Sequence, residues 1–351
     1  MLTTPLLPHY PLARLVAFAG WQLPVFYQGV LKEHQAVRGA VGMFDISHMG
    51  KFTLTAPLDR LERLVPSQLS KLGPGQAQYT VLLNETGGIL DDVIFYRQAE
   101  HTWRVIVNAS TRARDLAWLQ TQLGAIHDES SEQVLLALQG PQAIPLLQTM
   151  CDADLSRWGR FGHGEAGVLG GRVWLARTGY TGEDGFEMMA PVDHGLKLWQ
   201  ALLARGVTPC GLGARDSLRL EAALHLYGQD MDQATDPLTA GLGWVVHWTK
   251  GDFIGRTALE ALKAQGGGRR LVGLQMVGRG IARPGYKISQ GGQEVGIITS
   301  GGPAPSLNCN IALGYVPIAL SSVGTALEVR IRDQAVPALV VKRPFYRRVT
   351  N

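Results

Sequence analysis

The sequence changes character at KAQGGGRR, residues 263–270, and this change limits the folds that the chain can adopt. Three consecutive glycines have too much backbone freedom for regular structure, so they indicate a linker. The segments after the linker are short, apolar and separated by turns that contain glycine: RLVGLQM, GYKIS, EVGIITS, IALGYV, ALEVRI and ALVVKR. Short strands without helices predict a small antiparallel β-barrel over residues 266–351.

Before the linker, strands and helices alternate. Within residues 51–139, KFTLTA, AQYTVLL, ILDDVIFY and WRVIVN have the pattern of strands, whereas PLDRLERLV and TRARDLAWLQTQLG have apolar residues at helical spacing. NETGG, between AQYTVLL and ILDDVIFY, predicts a hairpin turn. Helices mixed with mostly antiparallel strands predict an α+β fold with helices on one sheet face. At 351 residues the chain is long enough for two or three domains.

The composition argues against several classes of function. The net charge is +4 at pH 7, and no run of Lys and Arg is interleaved with aromatic residues, so nucleic acid is not an expected partner. The longest uncharged stretch is broken by Pro317 and a turn, so no membrane span is expected. The three cysteines lie far apart without a C-x-x-C pair, which predicts reduced thiols in a cytoplasmic compartment. Without an H-E-x-x-H motif or a tight Cys/His cluster, no metal site is expected.

GGILDDVIFY, residues 87–96, places two adjacent aspartates in an apolar strand. Adjacent strand residues face opposite sides, so Asp91 and Asp92 cannot share one face. At least one carboxylate therefore takes a position where core is expected, and burying it costs free energy unless it is paired. Two interpretations remain: a functional carboxylate that faces a pocket, or an aspartate that accepts hydrogen bonds from turn N–H groups. If Asp92 faces the pocket, Asp91 lies on the opposite side of the strand together with Val93 and Phe95.

Three further segments are rich in polar residues. MFDISHM holds Asp45, Ser47 and His48, but this spacing does not easily form a catalytic triad, which favours a segment with polar caps. TGYTGEDGFE, residues 178–187, is either a site with close backbone approach or a hairpin with solvated acids. PCGLGARDSLRLE predicts a helix with Arg215 in its first turn. This helix either binds an anion at its N-terminus or carries a structural ion-pair network.

The combination and order of these segments resemble the T-proteins of the glycine cleavage system, the tetrahydrofolate-dependent aminomethyltransferases. The segments that carry the resemblance span nearly the whole chain: FAGW, EHQAVRGAVGMFDISHMG, GGILDDVIFY, TGYTGEDGFE, PCGLGARDSLRLEAALHLYGQDMD, DFIGRTAL, ARPGYKI and VVKRPFYRR. The resemblance implies a cloverleaf of three domains. Two ferredoxin-like α+β domains would be interleaved within residues 1–265, one of them over roughly residues 51–139, and the third would be the barrel of residues 266–351.

The resemblance also implies a reaction. Members of this family take an aminomethyl group from the lipoyl arm of the H-protein and transfer its carbon to tetrahydrofolate, which releases ammonia and gives 5,10-methylenetetrahydrofolate. Asp92, the second aspartate of the D-D motif, is the implied catalytic residue and would lie near N10 of the folate. The implied folate-binding residues are Tyr79, Asn108, Tyr180, Glu187 and Arg215. Because loss of ammonia develops positive charge at carbon, a fixed carboxylate would stabilise the transition state.

Relatives of the same fold leave two alternative functions open. Folate-dependent demethylases, which act on sulfonium compounds, are not excluded by motifs alone. Folate-binding proteins that aid iron–sulfur proteins carry a K-G-C-Y-x-G-Q type motif, whereas this chain has EAALHLYGQDMD, without the cysteine. A sarcosine-type dehydrogenase is not expected, because the chain has no flavin domain. The chain departs from many relatives at PSQLSKL and SGGPAPS, and the sequence does not indicate a role for His225.

Overall fold

The computed structural model describes residues 1–266, 268–332 and 334–348. Gly267, in the predicted linker, and Asp333 and residues 349–351, in the predicted barrel region, lie outside the described residues. The described chain forms two compact units. The first comprises Met1–Glu62, Leu69–Thr80 and Asp92–Arg215, and the second comprises Arg63–Gln68, Val81–Asp91 and the described residues from Asp216 onward. The predicted boundary between residues 265 and 266 stays a prediction.

The strands before the linker are, in chain order, β1 (Leu2–Thr3), β2 (Arg14–Phe18), β3 (Trp21–Phe26), β4 (Gly42–Asp45), β5 (Gly50–Thr55), β6 (Gln76–Leu83), β7 (Ile89–Arg97), β8 (Thr102–Val107), β9 (Ile126–Asp128), β10 (Gln133–Gln139), β11 (His163–Val168), β12 (Gly171–Ala176), β13 (Gly185–Pro191) and β14 (Thr208–Pro209). The helices are α1 (Val30–Gly39), α2 (Leu58–Leu64), α3 (Arg112–Leu123), α4 (Ala143–Gln148), α5 (Val192–Ala204), α6 (Leu212–Glu221) and α7 (Arg256–Ala264). Short 3₁₀ helices cover Leu7–His9, Leu69–Lys71, Leu155–Arg157, Gly243–Val245 and Ile318–Leu320.

These strands form three sheets. The strand orders are β1-β3-β2, β11-β12-β13-β10-β4-β14 and β6-β7-β8-β5-β9. Neighbours are antiparallel from β11 through to β4 and from β7 through to β9, whereas β14 runs parallel to β4 and β1 runs parallel to β3. Helices mixed with mostly antiparallel strands confirm the predicted α+β class.

Helix α5 covers the six-stranded sheet through one apolar stripe. Leu198, Trp199 and Leu202 are buried at helical spacing. Gly195, on the same stripe, brings the helix close to β10, since a Cβ at this position would lie 2.5 Å from the Val134 Cβ. The core cluster that these residues join fixes the sheet whose central strands carry part of the candidate site.

The segments after the linker form a closed barrel. Its strands are β15 (Arg269–Met276), β16 (Lys287–Gln290), β17 (Gln293–Ala304), β18 (Cys309–Pro317), β19 (Ala326–Ile331) and β20 (Gln334–Val341). They are connected in the order β15-β18-β17-β16-β19-β20, with antiparallel pairing throughout. Leu274, Ile288, Ile298, Val329 and Val340 are among the residues of the apolar core. The predicted antiparallel barrel is confirmed.

A fully buried ion pair lies in the second unit. Arg219 Nη1 donates to Asp230 Oδ2 at 2.7 Å, and the two side chains are 1% and 0% exposed. The other oxygen of Asp230 accepts hydrogen bonds from the hydroxyls of Thr299 and Ser300, each at 2.6 Å. The structural ion-pair network that the sequence suggested for this helix therefore forms around Arg219.

His225 has a structural environment. Its ring is buried, and Nε2 donates to the carbonyl of Ala240 at 2.8 Å. Burial lowers its pKa, so the ring is neutral at pH 7. This hydrogen bond joins the segment that follows α6 to the segment around Ala240, both within the second unit.

The described residues were also compared with what a membrane span and a metal site require. No helix in the described part of the chain combines the length and the apolarity that are needed to cross a membrane. Within residues 1–266, 268–332 and 334–348, no group of three or more His, Cys, Asp and Glu side chains could hold a metal ion.

Candidate active site

The two adjacent aspartates of β7 have different environments. Asp91 is 0% exposed and shares its side of the strand with buried Val93 and Phe95. Asp92 is only partly buried, as is Ile94 two residues later. The expectation that adjacent carboxylates face opposite sides therefore holds, and Asp91 is the one that takes a core position.

Both oxygens of the Asp92 carboxylate accept hydrogen bonds. Tyr79 on β6 donates its hydroxyl to Oδ2 at 3.0 Å, and Asn108 donates Nδ2 to Oδ1 at 2.8 Å. Asn108 follows β8, and the pairing of Ile94 with Ile106, continued by two residues, brings it opposite Asp92. Both donors are uncharged, so they fix the orientation of the carboxylate without neutralising its charge. An oriented carboxylate of this kind can stabilise a developing positive charge.

A second carboxylate lies on the six-stranded sheet. Glu187 on β13 is paired with Ala137 of β10 and with Ala176 of β12, so it occupies a central strand. Its side chain is buried, and the Thr178 hydroxyl donates to Oε2 at 2.5 Å. Burial raises the pKa of Glu187, while the Thr178 hydrogen bond and the positive charge of Arg215 oppose this effect.

Arg215 lies over an aromatic ring. Its guanidinium carbon is 4.5 Å from the centroid of the Tyr180 ring, a cation–π contact. Arg215 is in the first turn of α6, as the sequence predicted. The amide of Gly211 before this helix donates to Glu33 Oε2 at 2.9 Å, so a carboxylate of the chain itself binds there. Anion binding by the other amides at this helix end stays a prediction.

TGYTGEDGFE is more than a hairpin with solvated acids. Glu183 pairs with Arg38 at 2.8 Å, and its side chain is only 4% exposed. Asp184 pairs with Arg177 at 2.7 Å. These pairs fix the loop that carries Tyr180.

The six residues implied by the resemblance thus form two groups of three. Asp92, Tyr79 and Asn108 lie on or next to the five-stranded sheet, whereas the second group consists of Glu187 on β13, Tyr180 in the loop before it and Arg215 on α6. A residue absent from that set joins the strand of Asp92 to Thr178, the hydrogen-bond partner of Glu187. The Tyr96 hydroxyl lies 3.3 Å from Thr178 Oγ1, which donates to Glu187. Tyr96 is four residues after Asp92 on β7 and therefore shares its side of the strand. The same two motifs contain Tyr96 and Thr178, but nothing in the sequence singled them out.

MFDISHM does not form a triad. The Ser47 hydroxyl donates to Asp45 Oδ1 at 2.5 Å and accepts from the amide of Leu135 at 3.1 Å. Thr4 and Tyr10 donate to the other oxygen of Asp45. Asp45 and Ser47 therefore have structural partners, as the polar-capped interpretation predicted.

Two family models match successive parts of the chain. Residues 11–250 match the model of the GCVT N-terminal domain, and residues 269–347 match that of the glycine cleavage T-protein C-terminal barrel domain. Similar proteins include the aminomethyltransferase of Thermosynechococcus vestitus, 55% identical over 98% of this chain and 95% of the relative. That of Rippkaea orientalis is 56% identical over 95% of this chain and 94% of the relative.

A solved structure is also similar along the whole chain. The crystal structure of glycine cleavage system aminomethyltransferase T from Bartonella henselae has a TM-score of 0.92 and 37% identity, and the match covers 98% of each chain. Neither a demethylase nor an iron–sulfur helper protein is favoured by these matches. The chain therefore belongs to the family of the glycine cleavage T-proteins and is an aminomethyltransferase, an enzyme that transfers a one-carbon unit.

Proposed function

We propose that the enzyme takes the aminomethyl group from the lipoyl arm of the H-protein and transfers its carbon to tetrahydrofolate, releasing ammonia and forming 5,10-methylenetetrahydrofolate. The observation that carries this proposal is the Asp92 carboxylate, held through both oxygens by Tyr79 and Asn108. The reaction develops positive charge at carbon when the C–N bond to ammonia breaks, and a carboxylate held in a fixed orientation can stabilise such a charge.

Asp92 would act mainly by position and charge. As N5 of the folate attacks the aminomethyl carbon, the C–N bond to ammonia breaks. N10 then closes the ring as the C–S bond breaks, which releases the dihydrolipoyl H-protein, and positive charge develops at the transferred carbon in both steps. A carboxylate that is already oriented stabilises this charge without reorganisation in the transition state. Asp92 can also orient or accept a proton, and alignment of the two reactants contributes at least as much as proton transfer.

Glu187, Arg215 and Tyr180 would bind the pterin. An aminopyrimidine edge presents paired N–H donors, which suit a carboxylate that can accept with both oxygens. Glu187 is such a carboxylate, and its burial favours pairing with a ligand, because a buried charge is costly without partners. Arg215, stacked on Tyr180, presents donors to an acceptor edge of the same ligand.

The proposal includes a partner and a location. The lipoylated H-protein is the implied donor, and a net charge of +4 suits an acidic partner. A cytoplasmic location is supported by Cys151, Cys210 and Cys309, all of which are free thiols. Tetrahydrofolate enters as a substrate, and the proposal assigns no metal.

The test measures ammonia release from H-protein loaded with the aminomethyl group, with and without tetrahydrofolate. We expect fast release only with tetrahydrofolate, together with formation of methylenetetrahydrofolate. Asp92→Asn should abolish turnover and keep most of the folate affinity, because the amide keeps the shape and loses the charge. Asp154→Asn, which changes an exposed 3₁₀-helix cap, is the matched control. Release that does not depend on folate, or equal turnover of Asp92→Asn and the parent, would refute the proposal.

A further inference from the structure

The ring of Tyr96 is held on two sides within the first unit. The Trp174 ring lies edge-on to it with 4.8 Å between the centroids, and the His163 ring lies edge-on to it at 5.3 Å. His163 is itself fixed. Trp174 Nε1, which can only donate, bonds to His163 Nδ1 at 3.3 Å, so Nε2 carries the proton and donates to the Gln76 carbonyl at 3.2 Å. This packing determines where the Tyr96 hydroxyl lies before any ligand binds.

The hydrogen bonds between Tyr96 and the proposed pterin site run in one direction. An ionised carboxylate can only accept, so Thr178 donates its single hydroxyl proton to Glu187 Oε2, at 2.5 Å. The Tyr96 hydroxyl lies 3.3 Å from the same Thr178 oxygen and therefore donates to it. The two hydroxyls form a chain in which each polarises the next, which strengthens the hydrogen bond to the carboxylate.

The two ends of this chain differ in exposure. Tyr96 is 0% exposed, whereas Glu187 is 8% exposed, so a ligand can reach the carboxylate and cannot reach the phenol. Among the described residues, hydrogen bonds to the Glu187 carboxylate reach only Oε2. Because the carboxylate is planar, holding Oε2 also limits where Oε1 can lie. Tyr96 can therefore affect a ligand at Glu187 without touching it.

We propose that Tyr96 is a positioning residue for tetrahydrofolate: through Thr178 it holds the Glu187 carboxylate in the orientation that accepts the paired N–H donors of the pterin. This inference rests on the proposed function. It assigns Tyr96 no contact with the substrate and no proton transfer. Since Tyr96 and Asp92 both lie on β7, one strand would support the carboxylate at the reacting carbon and the carboxylate at the pterin.

The test combines Tyr96→Phe with Thr178→Val in the full chain. Phenylalanine keeps the ring that packs against Trp174 and His163 and removes only the hydroxyl. We expect Tyr96→Phe to raise the Kd and the KM for tetrahydrofolate about 5-fold, with little change in kcat or in the KM for H-protein loaded with the aminomethyl group. In the Thr178→Val background the same substitution should change the Kd less than about 2-fold, because its effect passes through the Thr178 hydroxyl.

Thermal unfolding without ligand gives a second readout. Thr178→Val leaves the buried Tyr96 hydroxyl without its acceptor, so adding Tyr96→Phe to this variant should keep or raise its Tm. Tyr10→Phe is the matched control. It removes another tyrosine hydroxyl of the first unit, which donates to Asp45 Oδ2 at 2.6 Å, and it should lower the Tm without changing the folate Kd.

The outcomes separate this inference from the proposed function. If the parent protein binds tetrahydrofolate and Tyr96→Phe binds it equally well, the role of Tyr96 is refuted and the proposed function stands, whatever happens to the Tm. An equal loss of affinity with and without the Thr178 hydroxyl would show that Tyr96 does not act through Thr178, and it would overturn the inference. If the parent itself does not bind tetrahydrofolate, both fail.

Discussion

Thr178→Val tests whether Glu187 must be ionised to bind the substrate. Valine keeps the shape of threonine and removes the hydroxyl that donates to Glu187 Oε2 at 2.5 Å. Burial already raises the pKa of Glu187, and the Thr178 hydrogen bond is one of the two effects that oppose it. The substitution therefore raises this pKa further. At a given pH a smaller fraction of the protein has the carboxylate that would accept from the pterin.

The magnitude follows from the kind of hydrogen bond that is lost. A hydrogen bond to a charged group contributes about 1.5–3 kcal/mol, which corresponds to about 10- to 140-fold in affinity. We expect Thr178→Val to weaken tetrahydrofolate binding by this factor on the acid side of neutrality and by less as the pH rises. The acid limb of kcat/KM should move to higher pH, because more base is needed to ionise Glu187.

The effect of Thr178→Val on folding stability should depend on pH in the opposite direction from its effect on folate affinity. Since the folded protein holds the Glu187 proton more tightly than the unfolded chain, its contribution to stability decreases as pH rises from the unfolded pKa through the folded pKa. Thr178→Val should enlarge this decrease, so its Tm deficit should grow with pH.

The assay is calorimetric titration with tetrahydrofolate across the neutral range, combined with thermal unfolding of the free protein. Thr121→Val is the control, because the exposed Thr121 hydroxyl donates to the Ala117 carbonyl within its own helix α3. An affinity loss that is the same at every pH, or an unmoved acid limb, would refute the proposed role of ionised Glu187.

Three further substitutions test separate parts of the structure. Arg215→Lys should weaken folate binding about 10-fold in a titration, because lysine keeps the charge but loses the planar stacking on Tyr180; unchanged affinity would contradict this contact. Asp230→Asn removes the buried counter-charge of Arg219 and leaves it only the largely exposed carboxylate of Asp216, so it should lower the unfolding free energy in urea by about 3 kcal/mol, whereas an unchanged midpoint would show that the buried ion pair contributes nothing. Gly185→Ala should reduce the Tm strongly, since φ is 156° and a Cβ would lie 2.1 Å from the Leu138 carbonyl oxygen; a normal Tm would mean that the strand can shift.

Local sequence patterns were sufficient to predict helices and turns such as the two that follow. The helix predicted over TRARDLAWLQTQLG forms α3 and ends at Gly124, whose φ of 91° suits glycine. The turn predicted at NETGG is closed by the Asn84 side chain, which accepts from the amides of Thr86 and Gly88. In both cases the interactions join residues within four positions of each other.

The candidate site depended on the resemblance, because its contacts join distant residues. Tyr79 and Asn108 are 13 and 16 positions from Asp92, and Tyr96 is 82 positions from Thr178. Such contacts follow from which strands are neighbours, and spacing along the chain does not contain this information. The roles of these residues stay a prediction until they are measured.

The burial of Lys51 does not follow from the sequence pattern around it. KFTLTA alternates in sequence, which suggests an exposed side with Lys51 and Thr53. In the structure β5 is an inner strand between β8 and β9. Most of its side chains are buried on both faces of the sheet. A buried lysine there holds the turn before it through backbone carbonyls.

The opposite facing of Asp91 and Asp92 has a consequence for interpreting variants of this enzyme. Substituting Asp91, which is completely buried, would be expected to reduce the amount of folded protein in the cell, while substituting Asp92 would leave a normal amount of inactive protein. Neighbouring codons would thus cause the same metabolic defect by two routes. A small molecule that stabilises the fold could rescue only the first.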